Sequence, residues 1–242
     1  MTPLLRAELL KLRTTRTFVA LIGSALALSL ILVVLNTLLT DDFSEREVRE
    51  AFTGDFTGLF ILLLGVIGMA GEWRHRTVTG TVLAAPVRVR LLGAKLLSYA
   101  LAGAVVSLIV TLAIMVIGTA ILSSRDLTTI GVGEMADVLW RNLVVSAFFG
   151  AVGVCIGGLI RNQVVAMVGL LVFSFALEPA LVALLSDIGK FGPTSGAPNG
   201  FLEISFGDEE ALSPALSLLV MAGWIVAGFA ATAALLRRRD LV

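Results

Sequence analysis

Long apolar runs dominate the chain, and charged residues fall almost entirely between them. A helix that crosses a bilayer needs about 20 mostly apolar residues, at about 1.5 Å of rise per residue. Six stretches meet or approach this length, and they predict an all-α fold with six transmembrane helices. The predicted spans cover residues 18–39, 56–71, 96–122, 142–160, 164–185 and 214–236.

Two of these spans each allow more than one interpretation. The second is short, and either residues 51–55 complete it at its outer end or tilt and local bilayer thinning accommodate it. The first follows a basic flank, as a signal peptide does, but its apolar run is about twice as long as a signal-peptide core. No small-x-small cleavage site follows it. We therefore interpret it as a retained span, and residues 1–242 as a single transmembrane domain.

Composition agrees with a bilayer as the solvent. The chain is 57% hydrophobic with a mean hydropathy of +0.99, whereas a soluble domain is about 45–50% apolar. It carries 18 basic and 18 acidic residues, so its overall charge gives no argument for nucleic acid as a partner. The expected partner is the lipid bilayer.

The basic residues divide unevenly between the two sides of the predicted bundle. Thirteen of the 18 lie at the two termini, in the connection between spans two and three, and at residue 161. The opposite segments hold five, together with 15 of the 18 acidic residues. Because cytoplasmic segments are enriched in Lys and Arg, the basic side is predicted to be cytoplasmic. We expect a multi-pass protein of the plasma membrane with both termini in the cytoplasm.

The first 17 residues have an amphipathic pattern. Leucines at positions 5, 9 and 12 share one helical stripe, as in a helix that lies along an anionic membrane surface. The alternative is a basic flank that only fixes the topology. The basic residues off the stripe are Arg6, Lys11 and Arg13.

The outer segments give weaker signals. The acidic segment 41–55 can form a short helix or a solvated linker, and the Gly- and Pro-rich segment 186–213 should be irregular in its middle. Glu178 precedes Pro179 near the outer boundary of the fifth span. We expect a helix break there, with a substrate contact as the alternative.

Small residues form a seam along the fourth span. Gly150, Gly153 and Gly157 share one face, and the last two make a GxxxG pattern, which permits close approach of two helix backbones. We expect this seam to pack within the chain, with a contact between two chains as the alternative.

Several chemistries are missing from the sequence. The single Gly-Lys pair, Gly189-Lys190, is followed by Phe191 and not by Ser or Thr, so the chain lacks the P-loop with which many ATPases bind phosphates. His75 is the only histidine and Cys155 the only cysteine, which argues against a metal site or a disulfide. Mid-membrane charges, which ion-coupled carriers require, are scarce. We expect no metal, no cofactor and no enzyme activity in this chain.

The connection between spans two and three is the most informative segment. Residues 77–85 can form a short helix, after which Pro86 favours the start of a new one, so an elbow should project from the membrane. We expect Glu72 to bond the neighbouring arginines and fix the elbow, and Lys95 to extend its side chain back toward the headgroups. A basic loop that only sets topology would not explain Glu72.

This connection resembles that of the ABC-2 type transporter permease family. In that family the second span ends in Glu-x-Arg-x-x-Thr, and a later Pro-x-Arg precedes a lysine that opens the third span. The residue before the threonine is often glycine in the family and is Arg76 here. The basic N-terminal stretch also looks like the family's amphipathic helix. The matching positions are Glu72, Arg74, Thr77, Pro86, Arg88 and Lys95.

The resemblance implies a membrane subunit that pairs with a second permease chain and two cytoplasmic ATP-binding subunits. The elbow would act as a coupling helix, and ATP hydrolysis would belong to the partner. Such assemblies export drugs, natural products, peptides or lipids. The few lysines suggest a high-GC bacterium, and for such an organism we expect drug or natural-product efflux. A secondary carrier and a non-transporting anchor or sensor subunit remain the alternatives.

Overall fold

The computed structural model describes residues 2–74, 88–160, 162–204 and 211–238. Within these ranges every regular element is helical, which confirms the predicted all-α fold. A π-helical turn, Phe173–Leu177, joins α7 to α8. The helices are α1 (Thr2–Thr14), α2 (Arg16–Leu39), α3 (Glu45–Thr53), α4 (Thr57–Arg74), α5 (Arg88–Ser124), α6 (Val132–Leu159), α7 (Gln163–Val172), α8 (Glu178–Leu184), α9 (Ser186–Gly189), α10 (Gly196–Leu202) and α11 (Pro214–Arg238).

Six helical stretches in the described ranges are long and apolar enough to cross a membrane, as predicted. They are α2, α3 with α4, α5, α6, α7 with α8, and α11. The elbow helix predicted over residues 77–85 lies outside the described residues, as does Arg161. We call the end of the bundle that holds α1 and the boundaries of the connection 75–87 the terminal end, and the opposite end the loop end.

The bundle is built around α6. This helix is the most buried of the spans, and it packs mainly against α4 and α5. By contrast α2, α7 with α8, and α11 lie at the periphery and expose many large apolar side chains, such as Leu39, Val164 and Leu219. An apolar exterior of this kind suits a helix surrounded by lipid tails.

The glycine seam of α6 lies at these central contacts. A Cβ atom built on Gly150 would overlap the backbone of Tyr99 in α5, and one on Gly153 would overlap the backbone of α4 at Leu62. Gly157 faces α4 in the same way, since a Cβ atom built on it would lie 2.7 Å from the Val66 carbonyl oxygen. The seam therefore lets α6 approach two neighbouring helices of its own chain at backbone distance.

Segment 41–55 contains a short helix, α3, rather than a solvated linker. The Ser44 amide donates to the Glu47 carboxylate at 2.8 Å, and the Ser44 hydroxyl accepts from the Glu47 amide at 3.3 Å. This reciprocal pair is a capping box, which satisfies amides that a helix start leaves free. Residues 54–56 separate α3 from α4, and α4 continues past the predicted boundary to Arg74. The stretch Glu45–Glu72, which includes residues 51–55, is long and apolar enough to cross a membrane.

At the loop end, α6 begins ten residues before the predicted span, and charged residues explain why. Its first turns project beyond the apolar stretch and carry Asp137 and Arg141, which pair at 2.7 Å. Arg49 of α3 bonds Asp137 at 2.8 Å and Glu203 at 2.7 Å, and Arg141 bonds Glu203 at 3.1 Å. We call Arg49, Asp137, Arg141 and Glu203 the loop-end ring. It joins α3, α6 and the residue that follows α10.

The predicted helix break at Glu178-Pro179 is wrong. The fifth span continues to Leu184, because the π turn immediately before Glu178 accommodates the proline, which cannot donate a backbone hydrogen bond. The Glu178 side chain is buried and accepts amide hydrogen bonds from Thr194, Ser195 and Gly196 at 2.6–3.0 Å. This carboxylate fixes the segment between α9 and α10, which contains turns, onto the span.

Candidate functional site

A buried charged residue lies on the inner face of α1. Glu8 falls on the same stripe as Leu5 and Leu12, and this stripe packs against the start of α5 rather than against lipid alone. The Glu8 carboxylate accepts a hydrogen bond from the Lys95 ammonium, with Nζ and Oε2 2.7 Å apart. An ion pair therefore holds the N-terminal helix to the third span.

The same lysine reaches a second carboxylate. Lys95 Nζ lies 2.9 Å from Oε1 of Glu72, in the last turn of α4, and Lys11 of α1 also donates to Glu72 Oε1. We call Glu8, Lys11, Glu72 and Lys95 the charge cluster. Its charges alternate and sum to zero, and its members come from three helices. Two of those helices, α4 and α5, flank the connection 75–87 on either side.

Burial makes the charge cluster energetically sensitive. The side chains of Lys95 and Glu72 are 1% and 4% exposed, whereas Lys11 is 48% exposed. Removing one partner of a buried ion pair leaves an uncompensated charge and costs about 3–5 kcal/mol, whereas an exposed pair contributes about 0–1 kcal/mol. Loss of Lys95 should destabilise the charge cluster most, because this lysine is the ion-pair partner of both buried carboxylates.

A tight contact between helices lies one turn away from the charge cluster, on the side toward the loop end. Tyr99 lies one turn after Lys95, is buried, and packs its hydroxyl against Gly68 of α4, where a Cβ atom would overlap it. The carbonyl oxygen of Tyr99 meets Gly150 of α6. Because α6 is in backbone contact with α4 and α5, and Tyr99 packs between α5 and α4, a displacement at the ends of α4 and α5 would be transmitted into the centre of the bundle.

Comparison with known families identifies the chain. The family model described as "ABC-2 family transporter protein" matches residues 4–177, which is most of the sequence. The chain belongs to the ABC-2 transporter family. No curated protein matches it. The matched region of this ABC-2 protein runs from α1 to the end of the π turn, so it includes every member of the charge cluster.

The structure changes the predicted partners of two motif residues. Glu72 was expected to bond the neighbouring arginines, but it pairs with Lys11 and Lys95, and Arg74 points to the exterior. Lys95 was expected to extend toward the headgroups, but its ammonium is buried between two carboxylates. The physical reason is the same in both cases: α1 folds back over the start of α5 and brings Lys11 to Glu72 and Glu8 to Lys95.

The remaining predicted residues of this ABC-2 protein are separate from the charge cluster. Arg6 and Arg13 are exposed on the outer face of α1. Arg88, at the start of α5, donates to the carbonyl oxygen of Leu236 near the end of α11. Thr77 and Pro86 lie outside the described residues.

Sequence reasoning missed Glu8. Its signal was present, since an acidic residue four positions before Leu12 and three after Leu5 lies on an otherwise apolar stripe. A carboxylate on such a stripe is costly unless it has a buried partner. Lys95, the basic residue that opens the third span, is the partner that this argument should have sought.

Proposed function

We propose that this protein is the permease subunit of an ABC exporter, with the terminal end of its bundle in the cytoplasm. In this proposal it pairs with a second permease chain and with two copies of a cytoplasmic ATPase, and it carries a drug, natural product, peptide or lipid outward. Family membership supports the transporter class. The excess of Lys and Arg at the terminal end supports the orientation.

The charge cluster is the observation on which the coupling mechanism rests. Glu72 and Lys95 lie in the two helices that flank the connection 75–87, and their ion pair at 2.9 Å ties the last turn of α4 to the first turns of α5. Glu8 and Lys11 add α1 to the same unit. An ATPase that pushes on the connection would then move α1, α4 and α5 together, and not bend a free loop.

In this mechanism Glu72 and Lys95 are positioning residues, and they do not touch the substrate. Arg74, Thr77, Pro86 and Arg88 are proposed to belong to the surface that meets the ATPase. Arg74 is exposed, as that role requires. ATP binding and hydrolysis belong to the partner subunit.

The test of the proposed function is reconstitution with an ATP-binding cassette ATPase encoded beside this chain. The complex in lipid should contain two permease chains and two ATPases by native mass measurement. Vesicles that hold the complex should accumulate substrate only when ATP is supplied on the side of the termini. Ion-driven uptake without the ATPase would indicate a secondary carrier, and an ATPase whose loss leaves export unchanged would indicate an anchor or sensor subunit.

Orientation has its own test. Reporters fused after Arg16 and at the C-terminus should indicate the cytoplasm, and reporters near Glu47, Ile130 and Ala197 should indicate the exterior. A cytoplasmic signal from an outer site would overturn the orientation while leaving the charge cluster as a structural fact.

A further inference from the structure

A groove lies between α2 and α3 at the loop end of the bundle. Its volume is about 320 Å³, within the range of about 300–1,000 Å³ typical of ligand pockets. Residues of α2 form one wall, and α3 with the residues on either side of it forms the other. The groove is at the opposite end of the bundle from the charge cluster, and it is a separate site.

The α2 wall changes from apolar to polar along its length. Leu28, Leu32 and Asn36 recur every fourth residue along one side of the helix, and Thr40 follows one turn later. Leu28 and Leu32 are 43% and 40% exposed. The rise from Leu28 to Thr40 is about 18 Å, a little more than half of the roughly 30 Å hydrocarbon core. This side of α2 is therefore apolar toward the bilayer centre and polar at the boundary, as a phospholipid is.

Two accessible polar groups line the polar end of the groove. Asn36 is exposed in the last turn of α2, and its side-chain amide has no hydrogen-bond partner among the described residues. Glu47 of α3 is also exposed, and within the described ranges its carboxylate bonds Ser44 alone. By contrast Glu50, on the same wall, pairs with Arg46 at 2.9 Å. Glu47 is therefore a groove carboxylate that can accept a cation from outside the chain.

A basic side chain lies beside the same end of the groove. Arg125 donates to the carbonyl oxygen of Thr40 at 3.0 Å and to the Asp41 carboxylate at 3.2 Å, and its side chain is 30% exposed. The polar end thus offers an exposed carboxylate and a partly exposed guanidinium. Together they complement a headgroup that carries one positive and one negative charge.

We propose that this groove binds a bilayer phospholipid whose zwitterionic headgroup contains a primary ammonium, such as phosphatidylethanolamine. The ammonium would donate to the Glu47 carboxylate, the Asn36 amide would donate to an ester or phosphate oxygen, and one acyl chain would lie along Leu32. A primary ammonium fits better than a trimethylated one, because it retains N–H donors for the carboxylate. The site belongs to this chain alone and does not depend on the exporter assignment.

The test is photo-crosslinking of the full-length chain in nanodiscs that contain equal amounts of phosphatidylethanolamine and phosphatidylcholine. A trace of either lipid carries the same diazirine-bearing acyl chain, and the labelled peptides are quantified by mass spectrometry. Residues 28–54 should be labelled about two- to fivefold more by the ethanolamine lipid, the range expected of an exposed ion pair. The lipid-facing side of α11 around Leu219, which is 71% exposed, should show no such preference.

Glu47→Gln should abolish the preference for the ethanolamine lipid. Glutamine keeps an acceptor for the Ser44 amide, as it does in other capping boxes, so α3 should still form. Glu45→Gln is the matched control, since it removes the same charge from an exposed residue of the first turn of α3 that does not line the groove. This control should retain the preference.

Three results would overturn the inference. Equal labelling of residues 28–54 by the two lipids would show that the groove does not recognise the ammonium. An equal preference at α11 would show a general enrichment around the protein and not a site. A preference that persists in Glu47→Gln, or that is lost in both variants, would show that Glu47 is not the recognition group. The comparison of the two lipids uses the unmodified protein, and the assay contains no ATPase, so its outcome is separate from that of the transport test.

Discussion

The charge cluster at the terminal end and the loop-end ring contain the same kinds of group in different surroundings. Each has two basic and two acidic side chains, each is neutral, and each joins three segments of the chain. Their burial differs. In the charge cluster the side chains of Lys95, Glu72 and Glu8 are 1–7% exposed, whereas those of the loop-end ring are 14–43% exposed.

This difference determines what each set of ion pairs can do. Solvent screens the loop-end ring and replaces lost partners with water, so it orients segments at a modest energetic gain. Lys11 is also partly exposed, but the three buried members of the charge cluster, Glu8, Glu72 and Lys95, have no such replacement, and separating them isolates a buried charge. A set of contacts that tolerates little distortion is suited to moving three helices as one body.

The largest effect is expected from Lys95→Met. It leaves the Glu8 and Glu72 carboxylates buried beside each other without their shared cation, at a cost of about 3–5 kcal/mol. Thermal unfolding in nanodiscs should show a large loss of stability. Lys190→Met is the matched control, because Lys190 pairs with the exposed Asp187 at 3.2 Å. A similar stability of the two variants would contradict the contrast between buried and exposed pairs.

A triple variant tests whether the loss of stability in Lys95→Met comes from the unpaired buried carboxylates. Combining Lys95→Met with Glu8→Gln and Glu72→Gln removes all the strongly buried charges together. Replacing a whole buried ion-pair set is often neutral, so the triple variant should recover more than about half of the stability that Lys95→Met loses. Thermal unfolding of the two proteins under identical conditions gives the answer. A triple variant less stable than Lys95→Met would mean that the charges themselves, and not their pairing, hold α1 in place.

At the loop end, Arg49→Met should cost about 1 kcal/mol or less. Arg49 bonds Asp137 and Glu203, but both acids keep Arg141 as a partner and remain partly exposed. The measurement is again thermal unfolding against the unmodified chain. A loss as large as that of Lys95→Met would show that the loop-end ring is no less critical than the charge cluster.

The smallest effect should come from salt. At about 1 M ionic strength the Debye length falls to about 3 Å, so the exposed pairs of the loop-end ring are screened while the charge cluster is little affected. The difference in stability between the unmodified chain and Arg49→Met should shrink as salt rises, and that for Lys95→Met should persist. Parallel salt dependences for the two variants would contradict the assigned burial.

Much of this arrangement can be predicted from the sequence. Six apolar stretches indicate the six spans, and the motif identifies Glu72 and Lys95 at the two ends of the connection. The spans follow from the length of the apolar runs, which a single sequence records directly, whereas the two motif residues follow from the resemblance to the family.

Other features depend on tertiary contacts. The pairing of Glu8 with Lys95 joins residues 87 positions apart and requires α1 to fold back onto α5. The π turn before Pro179 and the capture of Glu178 by the amides of residues 194–196 also depend on how a loop returns to the span. A local pattern around Glu178-Pro179 indicates a helix break, and the structure resolves the conflict with one wider turn.

The central claim is that the charge cluster couples the ATPase partner to the permease, and ATPase activity of the reconstituted complex tests it most directly. Glu72→Gln removes one charge while keeping the size of the side chain, and Glu45→Ala, on the exposed first turn of α3, is the control. Glu45 is preferable to Glu47, which forms part of the capping box. We predict that Glu72→Gln inserts normally but loses permease-stimulated ATP hydrolysis together with export, and that Glu45→Ala retains both. A Glu72→Gln complex with full assembly and stimulation, but an altered range of exported substrates, would contradict this account.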